Sequence, residues 1–251
     1  MSLTLSPTRP GRLVRRALAS RLVDTLAAPH GIDRYLELVD PLWTVHEARA
    51  RVVAVDHQTE RTVTLTLQPN RSWGGFQAGQ HAVVGVEIDG TWHQRCFSLA
   101  GSPHRADGTL ELTVKANPSG RVSRHLVDHA RAGTILRLSP ARGDFTLPAP
   151  HERTGHLLLV SGGSGITPVL SMLRTLVHEG HDGPVTFVHY ADRLADVCNL
   201  DDLRQLTAAL PQGRLLLGLT ADPTATDLAG FFDGTHLARV TDDPASCQVF
   251  L

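Results

Sequence analysis

The sequence predicts two domains, an antiparallel β-barrel followed by an α/β domain with a parallel sheet. From about residue 51 to residue 147 the chain consists of short strand patterns separated by turns, with few helical segments. After Pro148–Pro150, strand and helix patterns alternate, which indicates a parallel sheet covered by helices. A length of 251 residues accommodates two domains of ordinary size. We therefore expect a helical extension over residues 1–44, the barrel over 45–150 and the α/β domain over 151–251.

The N-terminal extension contains a predicted amphipathic helix over residues 11–28. Val14, Leu18, Leu22 and Leu26 recur at four-residue intervals, with arginines between them. We expect this helix to dock on the body of the protein. An organellar transit peptide, or a helix lying on a membrane surface, remains an alternative for so arginine-rich a segment.

The barrel strands are predicted from alternating apolar residues and turn signals. Thr62–Leu67 alternates strictly and so places Val63, Leu65 and Leu67 on one face. The dipeptide Asp89–Gly90 is typical of a two-residue hairpin with a primed turn. The strands predicted beside and after this turn are Ala82–Ile88, Thr91–Leu99, Thr109–Lys115 and Thr134–Ser139.

The α/β domain is predicted to begin with the apolar strand Leu157–Val160, a glycine-rich turn and a helix to about His178. The elements predicted after it are a strand at Val185–Tyr190, a helix near Asp201–Leu210, a strand at Arg214–Thr220 and a final strand at Cys247–Leu251. Ligands of open α/β sheets bind beyond the carboxyl ends of the strands. Because the sequence stops within the last strand, we expect this domain to be incomplete at its C-terminal end, either as a fragment or as a naturally short chain.

Composition excludes several classes of function. Hydrophobic residues make up 41% and charged residues 20%, as in soluble globular proteins. A net charge of −1 provides no general attraction to nucleic acid. The apolar runs are too short to cross a bilayer, and no secretory signal follows the start. We expect a cytoplasmic protein.

Metal sites are not predicted. The three cysteines, Cys96, Cys198 and Cys247, are widely spaced and form no CxxC pair, which argues against zinc and against a disulfide framework. Three thiolates are too few for an iron–sulfur cluster that needs four. The 14 histidines show no HExxH spacing.

Three motifs indicate nucleotide chemistry. Arg95-Cys96-Phe97-Ser98 ends a strand, where an arginine can bind phosphate, an aromatic ring can stack on a flat heterocycle and a hydroxyl can hydrogen-bond a ring nitrogen. An edge-strand arginine beside a core phenylalanine is the alternative. Gly120 and Ser123 open a helix whose free backbone N–H groups can bind phosphate; an ordinary N-cap is the alternative.

The third and strongest motif is Ser161–Pro168, which follows a buried strand and precedes a helix. Its glycines allow the backbone to approach a pyrophosphate, and Pro168 suits the first helical turn. It lacks the GK[ST] of a P-loop, and Pro168 stands where the standard dinucleotide fingerprint has its third glycine. A purely structural strand-to-helix turn is the alternative.

In their order and spacing these motifs resemble those of the ferredoxin–NADP reductase family of flavoproteins, from about residue 51 to residue 251. The family's RxYS string matches Arg95, Phe97 and Ser98, and its GxxS string matches Gly120 and Ser123. Its GGxGIxP loop matches Gly162–Pro168. Phe76–Gln80 is similar to its F-x-x-G-Q turn, and Pro140–Phe145 to its P-x-G-x-F segment.

The resemblance implies an FAD-binding barrel, an NAD(P)-binding α/β domain and hydride transfer from NADPH or NADH to the flavin. It assigns Arg95 to the flavin phosphate, Phe97 to the isoalloxazine face and Ser98 to the neighbourhood of N5, so that Ser98 and Phe97 are the expected catalytic residues. The set expected to bind cofactor is Arg95, Phe97, Ser98, Val114, Lys115, Gly120, Val122, Ser123, Gly162, Gly163, Ser164, Gly165, Ile166, Thr167, Pro168, Asp192 and Arg193. Arg193 can pair with a 2′-phosphate, which favours NADPH, whereas Asp192 can bind a ribose hydroxyl.

Two departures from the family pattern are evident. Phe97 replaces the usual tyrosine, which preserves stacking but removes one hydroxyl hydrogen bond to the ribityl chain. The family's Cys-Gly-Pro string after the final strand is absent. For the bound flavin, FMN is the alternative to FAD.

The N-terminal extension, with Pro29–Gly31 and Asp40–Trp43, is similar to that of bacterial reductases that serve oxygenases or fatty-acid desaturases. These reductases commonly carry a 2Fe–2S domain, which here must lie in a missing tail or a separate partner. The expected partner is a ferredoxin-type, oxygenase or desaturase acceptor. A free-flavin or other-acceptor reductase, a flavin-binding fragment with little turnover, and a nucleotide-binding protein without flavin are the alternatives.

Overall fold

The structure is a computed structural model that describes residue 25 and residues 31–222 and 226–251. The predicted helix over residues 11–28 lies outside the described residues, apart from Thr25. Of the N-terminal extension, the structure describes a short helix α1 (Ile32–Leu36) and the turns that lead into the first strand. The Asp33 carboxylate in α1 accepts hydrogen bonds from the backbone N–H groups of Val45 and His46, which fastens the extension to the first domain.

The first domain is a curled antiparallel sheet. Its strands are β1 (Ala48–Thr59), β2 (Thr62–Pro69), β3 (His81–Ile88), β4 (Thr91–Ser98), β5 (Leu110–Lys115) and β6 (Ile135–Leu138), in the order β4-β3-β6-β1-β2-β5. The β3–β4 hairpin turns at Asp89 and Gly90, both with positive φ, as the predicted primed turn requires. The edge strands β4 and β5 approach each other where the Ala100 N–H donates to the Glu111 carbonyl at 2.8 Å. The predicted antiparallel barrel is therefore confirmed in the form of a half-barrel.

Helix α2 (Arg121–His129) lies over the gap between β4 and β5. Val122, Leu126 and Val127 are on one face of the helix and pack into the apolar core of the half-barrel. The amino end of α2 is thereby fixed next to the strands that carry Arg95 and Lys115.

The second domain is a five-stranded sheet in which every pairing is parallel. Its strands are β7 (His156–Gly162), β8 (Val185–Ala191), β9 (Gly213–Leu219), β10 (Leu228–Ala229) and β11 (Cys247–Phe250), in the order β10-β9-β8-β7-β11. Helices α3 (Ile166–His178) and α4 (Leu200–Ala209) cover one face, and α5 (Gly234–Val240) covers the other. The predicted parallel α/β domain is confirmed. The sequence patterns did not indicate β10 or α5.

The two domains meet at a turn that requires glycine. Gly79 has a φ of +102°, and a Cβ atom there would collide with the Phe145 carbonyl and the terminal methyl of Met172. Gly79 belongs to the Phe76–Gln80 turn and Phe145 to the Pro140–Phe145 segment, whereas Met172 lies on α3 of the second domain. The Leu147 N–H also donates to the Ala78 carbonyl at 3.0 Å. Two motifs far apart in sequence therefore form one contact surface against α3.

No helix within the described residues combines the length and the apolar character needed to cross a membrane.

Candidate functional site

The strand order places the glycine-rich turn at the position where open α/β sheets bind ligands. From β7 the chain proceeds outward through β8, β9 and β10, and it then returns to pair β11 with the other side of β7. Such a reversal of strand order opens a crevice beyond the carboxyl ends of the two strands. Gly162 ends β7, so the turn that follows lies at this crevice.

The turn itself is open to solvent. Gly163 has a φ of +52°, and a Cβ atom there or at Gly165 would meet no protein atom within 4 Å. A single 3-10 turn, Gly163–Gly165, leads directly into α3, with Pro168 as the third helical residue. Because the first N–H groups of a helix have no partner within the helix, this end can bind a phosphate group.

Two of the residues predicted in this loop can contribute only their backbone. Ile166 is 0% exposed and belongs to the core cluster under the sheet. Thr167 is also buried, and its hydroxyl lies 3.4 Å from the Ser164 carbonyl. Gly162, Ser164 and Gly165 are exposed, which leaves them as the surface available to a ligand.

The end of β8 holds two charged residues with different constraints. The Thr220 hydroxyl donates to the Asp192 carboxylate at 3.0 Å, and the Ala221 N–H donates to the Asp192 carbonyl at 2.9 Å. Arg193 is exposed and forms no ion pair with any described residue. Its guanidinium is therefore available to an anionic group, while Asp192 is held by its neighbours.

Strand β4 carries the first predicted motif along the free edge of the first sheet. Arg95 is exposed, and its guanidinium has no hydrogen bond to the described part of the chain. Phe97 packs against the half-barrel core but stays partly exposed, so one part of its ring can stack on a ligand. Ser98 is partly buried at the end of the strand. The alternative of an edge-strand arginine beside a core phenylalanine holds in part, since β4 is an edge strand and Phe97 packs against the core without being enclosed by it.

The amino end of α2 has no side-chain cap. The Ser123 hydroxyl accepts from the Asn117 N–H at 3.1 Å, so it does not cap the helix. The N–H groups of Arg121, Val122 and Ser123 have no hydrogen-bond partner among the described residues. A Cβ atom at Gly120 would approach the Ser123 hydroxyl at 2.6 Å and Asn117 at 2.9 Å, so glycine is needed at this position. Ser123 therefore does not act as an ordinary N-cap, and the free N–H groups are available to an anionic group.

Three further predicted residues occupy different environments. Val114 and Val122 are buried in the half-barrel core, so only their backbone atoms can reach a ligand. Lys115 is exposed at the end of β5, and its charge acts on the second domain, where it contributes to lowering the pKa of His189. Lys115 therefore lies where the two domains face each other.

Sequence reasoning missed a buried polar pair at the same edge of the second sheet. The Ser161 hydroxyl lies 2.9 Å from Nδ1 of His189, and the two residues are register partners on β7 and β8. Burial, followed by the charge of Lys115, lowers the pKa of His189 to about 4. Its Nε2 atom is buried without a hydrogen bond to any described residue. A polar residue near the end of each of two adjacent apolar strands was the signal that would have revealed the pair.

Comparison with known proteins assigns each half of the chain to a domain type. Residues 51–147 match an oxidoreductase FAD-binding domain, and residues 159–238 match an oxidoreductase NAD-binding domain. An NADPH oxidoreductase of Mycobacterium tuberculosis is 39% identical over 225 residues, which covers 87% of this chain and 57% of that protein. The reductase component of propane 2-monooxygenase from Mycolicibacterium goodii is 33% identical over 166 residues, which covers 64% of this chain and 45% of that protein. The chain thus spans about half the length of these relatives.

A solved structure shares the fold. A ferredoxin NADP+ reductase from Neisseria gonorrhoeae with bound FAD and NADP superposes with a TM-score of 0.68 at 21% identity, covering 81% of this chain and 84% of that one. That protein holds both nucleotides, and the superposition covers both domains of this chain.

Proposed function

The chain belongs to the ferredoxin reductase-type family of oxidoreductases with an FAD-binding and an NAD-binding domain, and from this premise we propose that it moves electrons from NADPH through FAD to a one-electron acceptor. Flavin, when bound, supplies the chemistry that converts a two-electron donor into single electrons. The protein's part is to hold the two rings face to face and to exclude competing reactions. The observation that carries the proposal is that two helix amino ends without a side-chain cap, those of α2 and α3, flank one domain boundary.

The residues of the half-barrel fit an FAD molecule. The uncapped amino end of α2 offers three N–H groups to a pyrophosphate, and Arg95 offers an unpaired cation on the neighbouring strand. Phe97, two residues along the same strand, presents a partly exposed ring on which a flavin could stack. We assign Phe97 and Ser98 to the flavin ring, and Arg95, Gly120 and Ser123 to its phosphates. A dinucleotide flavin makes fuller use of the α2 end than FMN, because it brings a second phosphate.

The residues of the second domain fit the reducing nucleotide. The open turn at Gly162–Gly165 would hold its pyrophosphate, since the backbone can approach closely there. Arg193 would pair with the 2′-phosphate of NADPH, because it is exposed and unpaired while Asp192 is held by Thr220. This arrangement supports NADPH over NADH.

For the acceptor we propose an iron–sulfur component of the ferredoxin type that serves an oxygenase or a desaturase. The similarity to a propane 2-monooxygenase reductase component supports an oxygenase system. No cluster of three or more metal-ligating side chains exists among the described residues. The iron–sulfur centre is therefore assigned to a part of the protein beyond these residues or to a separate partner. A cytoplasmic location is part of the same proposal.

The decisive experiment is an absorption spectrum of the purified protein before and after NADPH is added without oxygen. The proposal expects a flavin spectrum that NADPH bleaches, and then faster reduction of an added ferredoxin than of free FMN. Faster reduction of free FMN would favour the free-flavin reductase. A yellow protein that NADPH does not bleach would favour a flavin-binding chain with little turnover, and a protein that stays colourless with added FAD would refute the proposal.

A further inference from the structure

The side chain of Arg174 connects the two domains. It lies in α3 of the second domain and is 12% exposed. One guanidinium nitrogen donates to the Ala100 carbonyl at 2.9 Å and to the Glu111 carboxylate at 2.5 Å, both in the first domain. The other pairs with Asp202 on α4 at 2.5 Å. A single cation therefore joins the first domain to α3 and α4, the two helices that cover one face of the second sheet.

A neighbouring contact reinforces this connection. The Ser171 hydroxyl, fully buried one turn earlier on α3, donates to the Gly101 carbonyl at 2.6 Å. Just beyond the carboxyl end of α3, the Glu179 carboxylate lies 3.1 Å from His104 and also pairs with Arg153. Burial alone would raise the pKa of Glu179, but the hydrogen bonds and charges of Arg153 and then His104 outweigh it and lower the pKa. Two side chains of α3, Ser171 and Arg174, and the side chain of Glu179 just after the helix thus contact the 100–104 segment.

The positions of these contacts along the chain link them to both halves of the proposed site. Helix α3 begins at the glycine-rich turn, and Ala100 lies two residues after Ser98 at the end of β4. Glu111 fixes Ala100 from the other side, since its backbone carbonyl accepts the Ala100 N–H. A rigid helix therefore sets the distance between the nucleotide turn and the end of the flavin strand.

From this geometry we infer that Arg174 is a positioning residue for hydride transfer: by holding Ala100 and Glu111, it sets the nicotinamide against the flavin. The inference rests on the proposed function. Reacting atoms must approach to about 3–3.5 Å, and a misplacement of about 1 Å can cost about 100-fold in rate. Loss of Arg174 should therefore slow hydride transfer while leaving each binding half intact.

The structure offers a variant that should fold. Arg105 pairs with the Glu111 oxygen that Arg174 does not use, so Arg174→Met leaves Glu111 with a cation. We expect this variant to show at least a tenfold slower anaerobic flavin reduction at saturating NADPH, with Kd values for FAD and NADPH within twofold of wild type. The long-wavelength absorption that reports ring stacking on mixing with NADP+ should also weaken. Arg174→Lys, which keeps the charge, should recover part of both losses.

Arg204→Met is the matched control, because Arg204 is exposed and its ion-pair partner, Asp201, lies in the same helix α4. It should change neither readout. The double variant Arg174→Met/Glu111→Gln should lose no more rate than the larger single loss, since both act through one contact. If Arg174→Met fails to fold, Ser171→Ala tests the adjacent contact and should slow reduction by a smaller factor.

The inference is overturned if NADPH bleaches the flavin of the wild-type protein and that of Arg174→Met at the same rate. If Arg174→Met does not fold, the same comparison is made with Ser171→Ala. A tenfold loss that resides in the Kd for NADPH would also overturn it. A wild-type protein that binds FAD but is not bleached refutes the proposed function instead. In that case, unchanged stacking absorption of Arg174→Met with NADP+ would refute the inference independently.

Discussion

The Ser161 hydroxyl lies 2.9 Å from Nδ1 of His189, and both residues are buried at the carboxyl edge of the parallel sheet. This edge also carries the glycine-rich turn, which begins one residue after Ser161. The pair places a neutral imidazole beneath the proposed nucleotide site, because burial and the nearby Lys115 charge disfavour its protonated form.

Acid should destabilise the protein through His189. An unfolded histidine binds a proton near pH 6.5, whereas the buried ring does so only near its pKa of about 4. Between these values the unfolded state binds more protons, so the free energy of unfolding falls as pH falls, by at most about 3 kcal/mol from this residue. His189→Asn keeps a hydrogen-bonding atom near Ser161 but cannot titrate. When the free energy of unfolding is measured with urea at pH values from 7 to 4, its slope against pH should be smaller for His189→Asn than for the wild type.

The exposed His151 supplies the control for that experiment. His151→Asn should retain the wild-type slope. Burial and neighbouring charges also lower the pKa of His125, His156 and His181, so part of the slope will remain in every variant. Equal slopes for wild type and His189→Asn would contradict the assignment.

Arg95→Ala should weaken flavin binding. The Arg95 side chain has no hydrogen bond to the described residues, so the substitution removes only the proposed phosphate contact, about 1.5–3 kcal/mol for a charge-assisted bond. This corresponds to roughly a 10- to 150-fold rise in Kd for FAD, measured by fluorescence titration of the apoprotein. Arg214→Ala, near the amino end of β9 in the second domain, removes the same charge and should leave the Kd for FAD unchanged. Identical Kd values for both variants would make Arg95 a surface residue only.

Gly163→Val should block the reducing nucleotide while FAD remains bound. The added side chain would occupy the open space above the turn and would strain a backbone with φ of +52°. Gly180 has a similar φ of +66°, also with no atom within 4 Å of an added Cβ, but it lies beyond the far end of α3. Gly180→Val therefore reproduces the strain, roughly 1–3 kcal/mol, without touching the site. Isothermal titration with NADP+ should detect a loss only in Gly163→Val; equal affinities would remove the turn from the site.

Arg193→Ala should change coenzyme preference more than overall binding. The unpaired guanidinium has a partner in NADPH but none in NADH, so the Kd for NADPH should rise at least tenfold and that for NADH about twofold or less. Arg239→Ala, on α5, provides a control of equal charge. A parallel rise for both coenzymes would mean that Arg193 binds a group that they share.

The fold could be predicted largely because its signals are local. The Asp89–Gly90 turn and the alternation in Thr62–Leu67 specify a hairpin and a sheet face from adjacent residues alone. Strand β10 has only two residues and α5 only seven, which is too short for a periodic pattern to emerge.

The candidate site was predictable to the same extent. The backbone loops at Gly120 and Gly163 could be found, because glycine and a following helix are sequence features. The burial of Ile166 and Val114 could not, since the facing of a side chain depends on which element packs above it. The Ser161–His189 and Arg174–Glu111 pairs join residues 28 and 63 positions apart, and only the assembled sheets bring them together.

Because the side chains of α3 hold the segment that follows β4, the two domains are not independently exchangeable parts. In a chimera whose second domain came from a relative, the helix in the place of α3 would carry side chains that fit that relative's own loop after β4. To preserve the proposed alignment of the nicotinamide and flavin rings, residues 99–111 and 171–179 would have to come from the same parent protein. A domain exchange made to change coenzyme preference must therefore keep this contact across the boundary intact. A crossover point chosen only from the domain limits would separate the residues that form it.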